Sequence, residues 1–101
     1  MSASVTTPGD SPWFSGHFPG DPILPGIAQL KMVVDLISAS GRGRFSLTGL
    51  SRVKFRKIVR PDESLDIQVT CTDKEDQYIF RITSGEEEVC SGRMISTQNL
   101  K

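Results

Sequence analysis

From Gly26 to Ala39 apolar residues occupy most of the circumference of a predicted helix: Ile27, Leu30, Met32, Val33, Val34, Leu36 and Ile37. Lys31, Asp35 and Ser38 fall on one narrow stripe at i, i+4, i+7 spacing. A helix apolar nearly all round is a buried one. Ser40-Gly41-Arg42-Gly43 gives it a flexible stop. Downstream the period drops to two. Strand patterns run over about Phe45 to Val59, then through Leu65, Ile67, Val69 and Cys71 in alternation with Asp66, Gln68, Thr70 and Thr72, then over Tyr78 to Thr83 and Glu88 to Ser96. The links Asp73 to Gln77 and Ser84-Gly85-Glu86 are short enough for hairpins. A first strand over Ala3 to Thr7 has the weakest pattern. One buried helix followed by a meander of antiparallel strands requires an α+β architecture with the sheet wrapped around the helix.

Composition narrows this to one small domain. With 101 residues, 37% of them hydrophobic, the chain can bury a core, yet it lies in the size range where self-association is a common remedy for exposed surface. The domain is expected to span 1–101, with residues 1–3 and 97–101 as flexible ends, and a dimer is expected. Twelve basic and twelve acidic residues leave no net charge, so there is no global case for nucleic acid or membrane as partner. No apolar run approaches the roughly 18 residues of a spanning helix, and the first residues lack the basic-then-apolar form of a signal peptide. A cytoplasmic location is expected. Cys71 and Cys90 have neither CxxC nor metal-site spacing, so they read as small hydrophobes on strands, and no metal is expected.

Two features carry chemistry. Residues Trp13 to Gly26 hold the only histidine, His17, in a loop rich in Pro and Gly that runs straight into the helix. A histidine pinned near a helix start is a candidate acid/base group, although a lone histidine also serves commonly as a hydrogen-bonded structural residue. The second feature is a basic stripe: Arg52, Lys54 and Arg56 alternate on one strand face, with Lys57 and Arg60 beside them, while Val53 and Phe55 point the other way. It can dock an acidic partner, or it is a solvated face balanced by Glu63, Asp66 and Glu86 to Glu88. It lacks the interleaved aromatics of a nucleic-acid surface.

The run Gly16-His17-Phe18-Pro19-Gly20-Asp21-Pro22-Ile23-Leu24-Pro25-Gly26 resembles the signature of the hotdog-fold 3-hydroxyacyl-(acyl-carrier-protein) dehydratases, the FabA/FabZ group. It is most similar to the short ApeI-like branch, in which Pro-Gly is followed by a Gln-Leu pair, here Gln29-Leu30. Val53 to Leu65 resembles the family's second block, a basic strand ending in a Pro-Gly-Asp turn, with Asp62 where glycine is usual. The resemblance covers residues 13 to 96. It implies a hotdog fold whose sheets pair edge to edge into a homodimer, or a dimer of dimers, with a thioester tunnel at the interface. It implies no cofactor, the substrate being carried on the phosphopantetheine of acyl carrier protein, an acidic partner suited to the basic stripe. By the same resemblance His17 is the base that removes the C2 proton, and Phe18, Gly20, Pro25 and Gly26 belong to the substrate-binding run.

The backbone N–H of Gly26 suits the thioester oxygen on physical grounds as well: it opens the helix, lacks a side chain, and lies at the positive end of the dipole. The departure is the acid. Family members carry Glu or Asp fourteen residues after the histidine, and this chain has Lys31 there, with Asp35 one turn later. Three readings follow: a transposed His17/Asp35 pair, Lys31 as a proton donor with a pKa lowered by desolvation, or a site that binds thioesters without dehydrating them. The last makes the chain an accessory subunit, which can form a heteromer with a catalytic homologue. A hotdog thioesterase, with Asp35 or Gln29 activating water, is the third enzyme class.

Overall fold

The computed structural model describes residues 1–8, 24–39, 47–72 and 76–96. In chain order the elements are β1 (Ser2–Thr6), α1 (Gly26–Ala39), β2 (Leu47–Phe55), β3 (Ser64–Cys71), β4 (Gln77–Ser84) and β5 (Glu87–Ser96). The strands form one sheet in the order β1-β3-β4-β5-β2, and every neighbouring pair is antiparallel. Strands β3 to β5 are the expected meander. The β4–β5 connection is a two-residue loop, Gly85-Glu86, between the paired Ser84 and Glu87. Gly85 takes φ 62, a conformation that glycine adopts without steric cost at the first position of such a loop.

Alternation sets the two faces of the sheet. Leu65, Ile67 and Val69 of β3, Tyr78, Phe80 and Ile82 of β4, and Cys90 and Met94 of β5 point inward and pack with Ala28, Val33 and Ile37 of α1. Burying each large apolar side chain contributes roughly 1.5–3 kcal/mol, which drives the helix onto this face. Val89 and Cys90 are consecutive and both buried. The pairing explains this: between Ile82 and Thr83 of β4 the partner advances from Cys90 to Glu88, so β5 carries one extra residue.

Three expectations are corrected. Residues 1–3 are not a loose end: the Met1 ammonium donates to the Val69 carbonyl at 3.0 Å, and Ser2 opens β1. The tail 97–101 lies outside the described residues. The strand expected over 45–59 ends at Phe55, beyond which the chain leaves β5 and its Val59 carbonyl accepts from the Leu24 N–H instead; before that, β2 carries two extra residues, one between Leu47 and Gly49 and one between Ser51 and Lys54. The second sits at Arg52, whose φ is 56. Gly92 of β5 accepts the bend: a Cβ there would stand 2.9 Å from the Val53 Cα. Finally, α1 is not buried all round. Ala28, Gln29, Val33 and Ile37 are buried, Leu30, Met32, Val34 and Leu36 are half-buried, and Ile27 is 67% exposed. One sheet covers one helix face, and the rest of the apolar circumference is only partly covered in a single chain.

Candidate active site

The start of α1 is fixed from both sides. The Leu24 N–H donates to the Val59 carbonyl at 2.8 Å, tying the entering chain to the segment after β2. The Pro25 carbonyl accepts from Ala28 and Gln29 at 3.0 and 3.3 Å, which begins the helical ladder. The first N–H groups of a helix lack intrahelical acceptors, and among the described residues none meets the N–H of Gly26. A Cβ at residue 26 would stand 2.8 and 2.9 Å from the tip of the Phe55 ring, so a side chain there requires the half-exposed ring to swing aside. The close approach to Gly26 is made by the aromatic ring.

Around this helix start lies a cleft of about 340 Å³ lined by Leu24, Pro25, Gly26, Gln29, Phe55, Lys57 and Ile58. Phe55 and Ile58 are 50% and 53% exposed, so its walls offer apolar surface beside a helix N-terminus. That combination suits an acyl chain and an electron-rich oxygen. Beside the cleft, Lys57 pairs with Glu63 at 2.7 Å. Hydrogen bonds from Lys57 and Ser84 hold the Glu63 carboxyl down at about 2.

His17, Phe18 and Gly20 lie outside the described residues. Pro25 and Gly26 line the cleft. Lys31 and Asp35 do not line it: they form the i, i+4 pair, Nζ to Oδ1 3.1 Å and Nζ to Oδ2 3.3 Å, with side chains 60% and 63% exposed. The desolvation invoked for a Lys31 proton donor is therefore absent in the single chain.

The basic stripe lies on the other face of the sheet. Arg52, Lys54 and Arg56 line a groove of about 440 Å³ together with Arg81 and Arg93, two cations that sequence reasoning passed over. Their signal was available in the alternation, since Arg81 falls between inward Phe80 and Ile82. Cross-strand register assembles the group: Lys54 pairs with Ser91, Ser91 with Arg81, and Arg93 with Ile79. Glu88 is the carboxylate at its margin, 2.8 Å from Arg56 and 3.3 Å from Arg81. The Ser91 hydroxyl and then Arg56 and Arg81 hold its carboxyl below the usual range. Lys57 and Arg60 do not join the groove; Lys57 faces the cleft, and Arg60 opens the turn to Glu63, whose Oε1 accepts the Arg60 N–H at 3.1 Å. Of the two free thiols, Cys71 is exposed and not the small core hydrophobe expected, while Cys90 is buried and desolvation pushes it up to about 11. Among the described residues no cluster of His, Cys, Asp or Glu could hold a metal ion, and no helix is long and apolar enough to cross a membrane.

A family model described as ApeI-like, ApeI dehydratase, matches residues 1–93. The chain belongs to the ApeI-like dehydratase family. Similar proteins include the 3-hydroxyacyl-(acyl-carrier-protein) dehydratase FabZ of Latilactobacillus sakei subsp. sakei, 39% identical over 63% of this chain and 51% of that protein. Those of Erythrobacter litoralis and Caldicellulosiruptor saccharolyticus are 34% and 36% identical, over 76% and 85% of this chain and 58% and 69% of theirs. The chain thus spans little more than half the length of the first two relatives. Among solved structures, the dehydratase heterocomplex ApeI:P from Xenorhabdus doucetiae contains a chain that superposes with TM-score 0.88 at 24% identity, over 96% of this chain and 86% of that one. An (R)-hydratase from A. caviae matches at TM-score 0.69 and 15% identity, over 98% and 93%. The ApeI-like fold is therefore the hotdog, α+β with an antiparallel sheet around one helix, as the resemblance implied.

Proposed function

We propose that this ApeI-like protein works on acyl thioesters at the cleft beside Gly26, as a 3-hydroxyacyl-(acyl-carrier-protein) dehydratase of fatty-acid or polyene type. The observation that carries the reading is the N–H of Gly26 at a helix start, which no acceptor among the described residues meets, set in an apolar-walled cleft. In the reaction a base removes the C2 proton, the C2–C3 double bond forms, and the C3 hydroxyl leaves as water with a proton from an acid. Charge gathers on the thioester oxygen, where a preorganised N–H acts. His17 is the proposed base. No electrons enter or leave, so the chemistry calls for no cofactor. The five-cation groove is the proposed seat for the acidic acyl carrier protein, and a cytoplasmic location belongs to the same proposal. The edge strand β2 and the exposed Leu47, Leu50, Phe55, Ile58 and Ile27 support an edge-to-edge dimer, since an open edge with apolar side chains invites pairing.

A second reading, an accessory subunit, is favoured by one observation: where the family carries its helix carboxylate, this chain has an exposed Lys31 paired with Asp35. One of the similar structures is itself a dehydratase heterocomplex. Hydratase and dehydratase turnover on carrier-bound enoyl and 3-hydroxyacyl thioesters decides between them. A chain lacking only the acid turns over slowly, and Lys31→Glu raises the rate by roughly 10²-fold or more, a gain abolished by His17→Ala. Fast wild-type turnover stopped by His17→Ala and Asp35→Asn would instead show a site rebuilt around Asp35. Equal inactivity of wild type and folded Lys31→Glu favours the accessory role.

A further inference from the structure

Strand β2 carries its second extra residue at Arg52, which holds φ 56. Non-glycine residues seldom adopt that conformation, and glycine or asparagine would hold it with less strain, so the fold alone does not ask for an arginine there. Bulges recur beside functional sites because they re-aim a side chain. Arg52 lines the groove of about 440 Å³ together with Lys54 and Arg93. Ser51 pairs with Arg93 and Lys54 with Ser91, so Lys54 and Arg93 are diagonal neighbours, roughly 7–8 Å apart, on either side of the bulge. Their charges are uncompensated. Arg56 and Arg81 share Glu88, whereas no acceptor among the described residues meets the side chains of Arg52, Lys54 and Arg93. Arg93 is half-buried as well, and a partly desolvated cation without a partner is unfavourable until an anion arrives. Glu88 and Asp66 both lie in the cross-strand row of Thr83, beyond the row of Lys54, so the bulge end of the groove is its positive end.

We infer that the bulge end of this groove, at Arg52, Lys54 and Arg93, binds a compact oligophosphate: the di- or triphosphate chain of a nucleotide, or the free inorganic ion. Three cations in one groove suit an anion that packs several charges into a small volume, and guanidinium forks grip phosphate oxygens two at a time. Ile79, opposite Arg93 on β4 and 42% exposed, adds an apolar step on which a nucleoside can rest. The inference goes beyond the thioester reading of the cleft and does not rest on it. The same cations belong to the proposed carrier-protein seat, so an oligophosphate bound there competes with the carrier protein.

The test is calorimetric titration of the full chain with inorganic triphosphate, ATP and inorganic phosphate, in EDTA and at a constant ionic strength of about 0.1 M, so that general screening is the same throughout. No thioester or carrier protein is present, so failure here leaves the reading of the cleft standing. Triphosphate is expected to bind at least about tenfold more tightly than phosphate, because it meets more of the three cations at once. Arg52→Asn combined with Arg93→Gln weakens triphosphate binding at least about tenfold while the melting temperature is kept or raised, since asparagine tolerates the left-handed backbone. Equal affinity for ATP and triphosphate identifies the phosphate chain as the whole ligand, and tighter ATP adds the nucleoside; either upholds the site. Triphosphate no tighter than phosphate overturns the inference, as does an affinity unchanged in the double variant. If that variant melts early, the arginine side-chain Nε–H resonances of the wild type decide. Those of Arg52 and Arg93 shift on saturation with triphosphate; if they stay in place while others move, the anion sits elsewhere and the inference fails.

Discussion

Asp62 shows how a single departure from a family pattern acquires a physical meaning. The Glu63 N–H returns to the Arg60 carbonyl at 3.3 Å, closing a turn with Pro61 and Asp62 in its centre. Asp62 has φ 64, the left-handed conformation that turns of this kind give to glycine. Aspartate tolerates it better than most residues, and the Asp62 N–H is used by the Thr7 carbonyl at 2.8 Å, which holds the turn in place. Asp62→Gly is expected to leave stability unchanged or raise it by up to about 1 kcal/mol, and Asp62→Val to lower it by about 1–2 kcal/mol. Denaturant midpoints of the two variants check the sign. The next residue sets an acid limit. Glu63 is held at about 2 against an ordinary 4.5 by Lys57 and Ser84, so its ion pair stabilises the fold fully above about 4.5. That contribution is lost as pH falls from 4.5 through 2. Melting temperature should drop across this window in the wild type and drop less in Lys57→Met, which removes the first-named cause of the depression.

At the scale of elements, the outer sheet face is the clearest charge asymmetry in a chain of zero net charge. Register gathers five cations from β2, β4, β5 and the residue after β2, with Glu88 paired to Arg56 and Arg81 at the margin and Asp66 further along the same face on β3. Exposed charges are screened over about 10 Å at 0.1 M salt, so carrier-protein affinity should fall steadily as salt is added. Lys54→Glu with Arg93→Glu should weaken it at least tenfold at low salt without altering melting temperature by more than a degree or two. These positions avoid the strained φ of Arg52 and the Arg56–Glu88 pair, so the readout reports charge alone. Affinity indifferent to both salt and reversal would leave the groove a solvated face.

At the scale of the molecule, one sheet covers one side of α1, while Leu30, Met32, Val34 and Leu36 are half-buried and Ile27 is open. Together with the unpaired outer edge of β2, this predicts association. Light scattering at micromolar concentration should give twice the mass of one chain, or four times if dimers pair. A monomer alone would remove the edge-to-edge proposal.

Period and turn chemistry in the sequence determined the elements. The helix falls on Gly26–Ala39 as its pattern required, and β3, β4 and β5 lie within a residue or so of their alternating runs. These signals are local, and local backbone preference is enough to place them. Gly26 was legible for a related reason, since a Pro-Gly pair at a helix start leaves few alternatives. What the tertiary structure alone decided depends on register and packing. Strand β2 stopped at Phe55 although its pattern carried on to Val59, because the residues beyond it meet the chain entering α1 instead of β5, a partner that only the fold supplies. Lys57 left the basic stripe for Glu63, and Arg81 and Arg93 joined it, since side chains distant in sequence share a face only once strands are aligned. Gln29 gave no sign of being buried without a partner for its oxygen; that follows from which neighbours the fold brings to it, and no spacing along the chain encodes their absence.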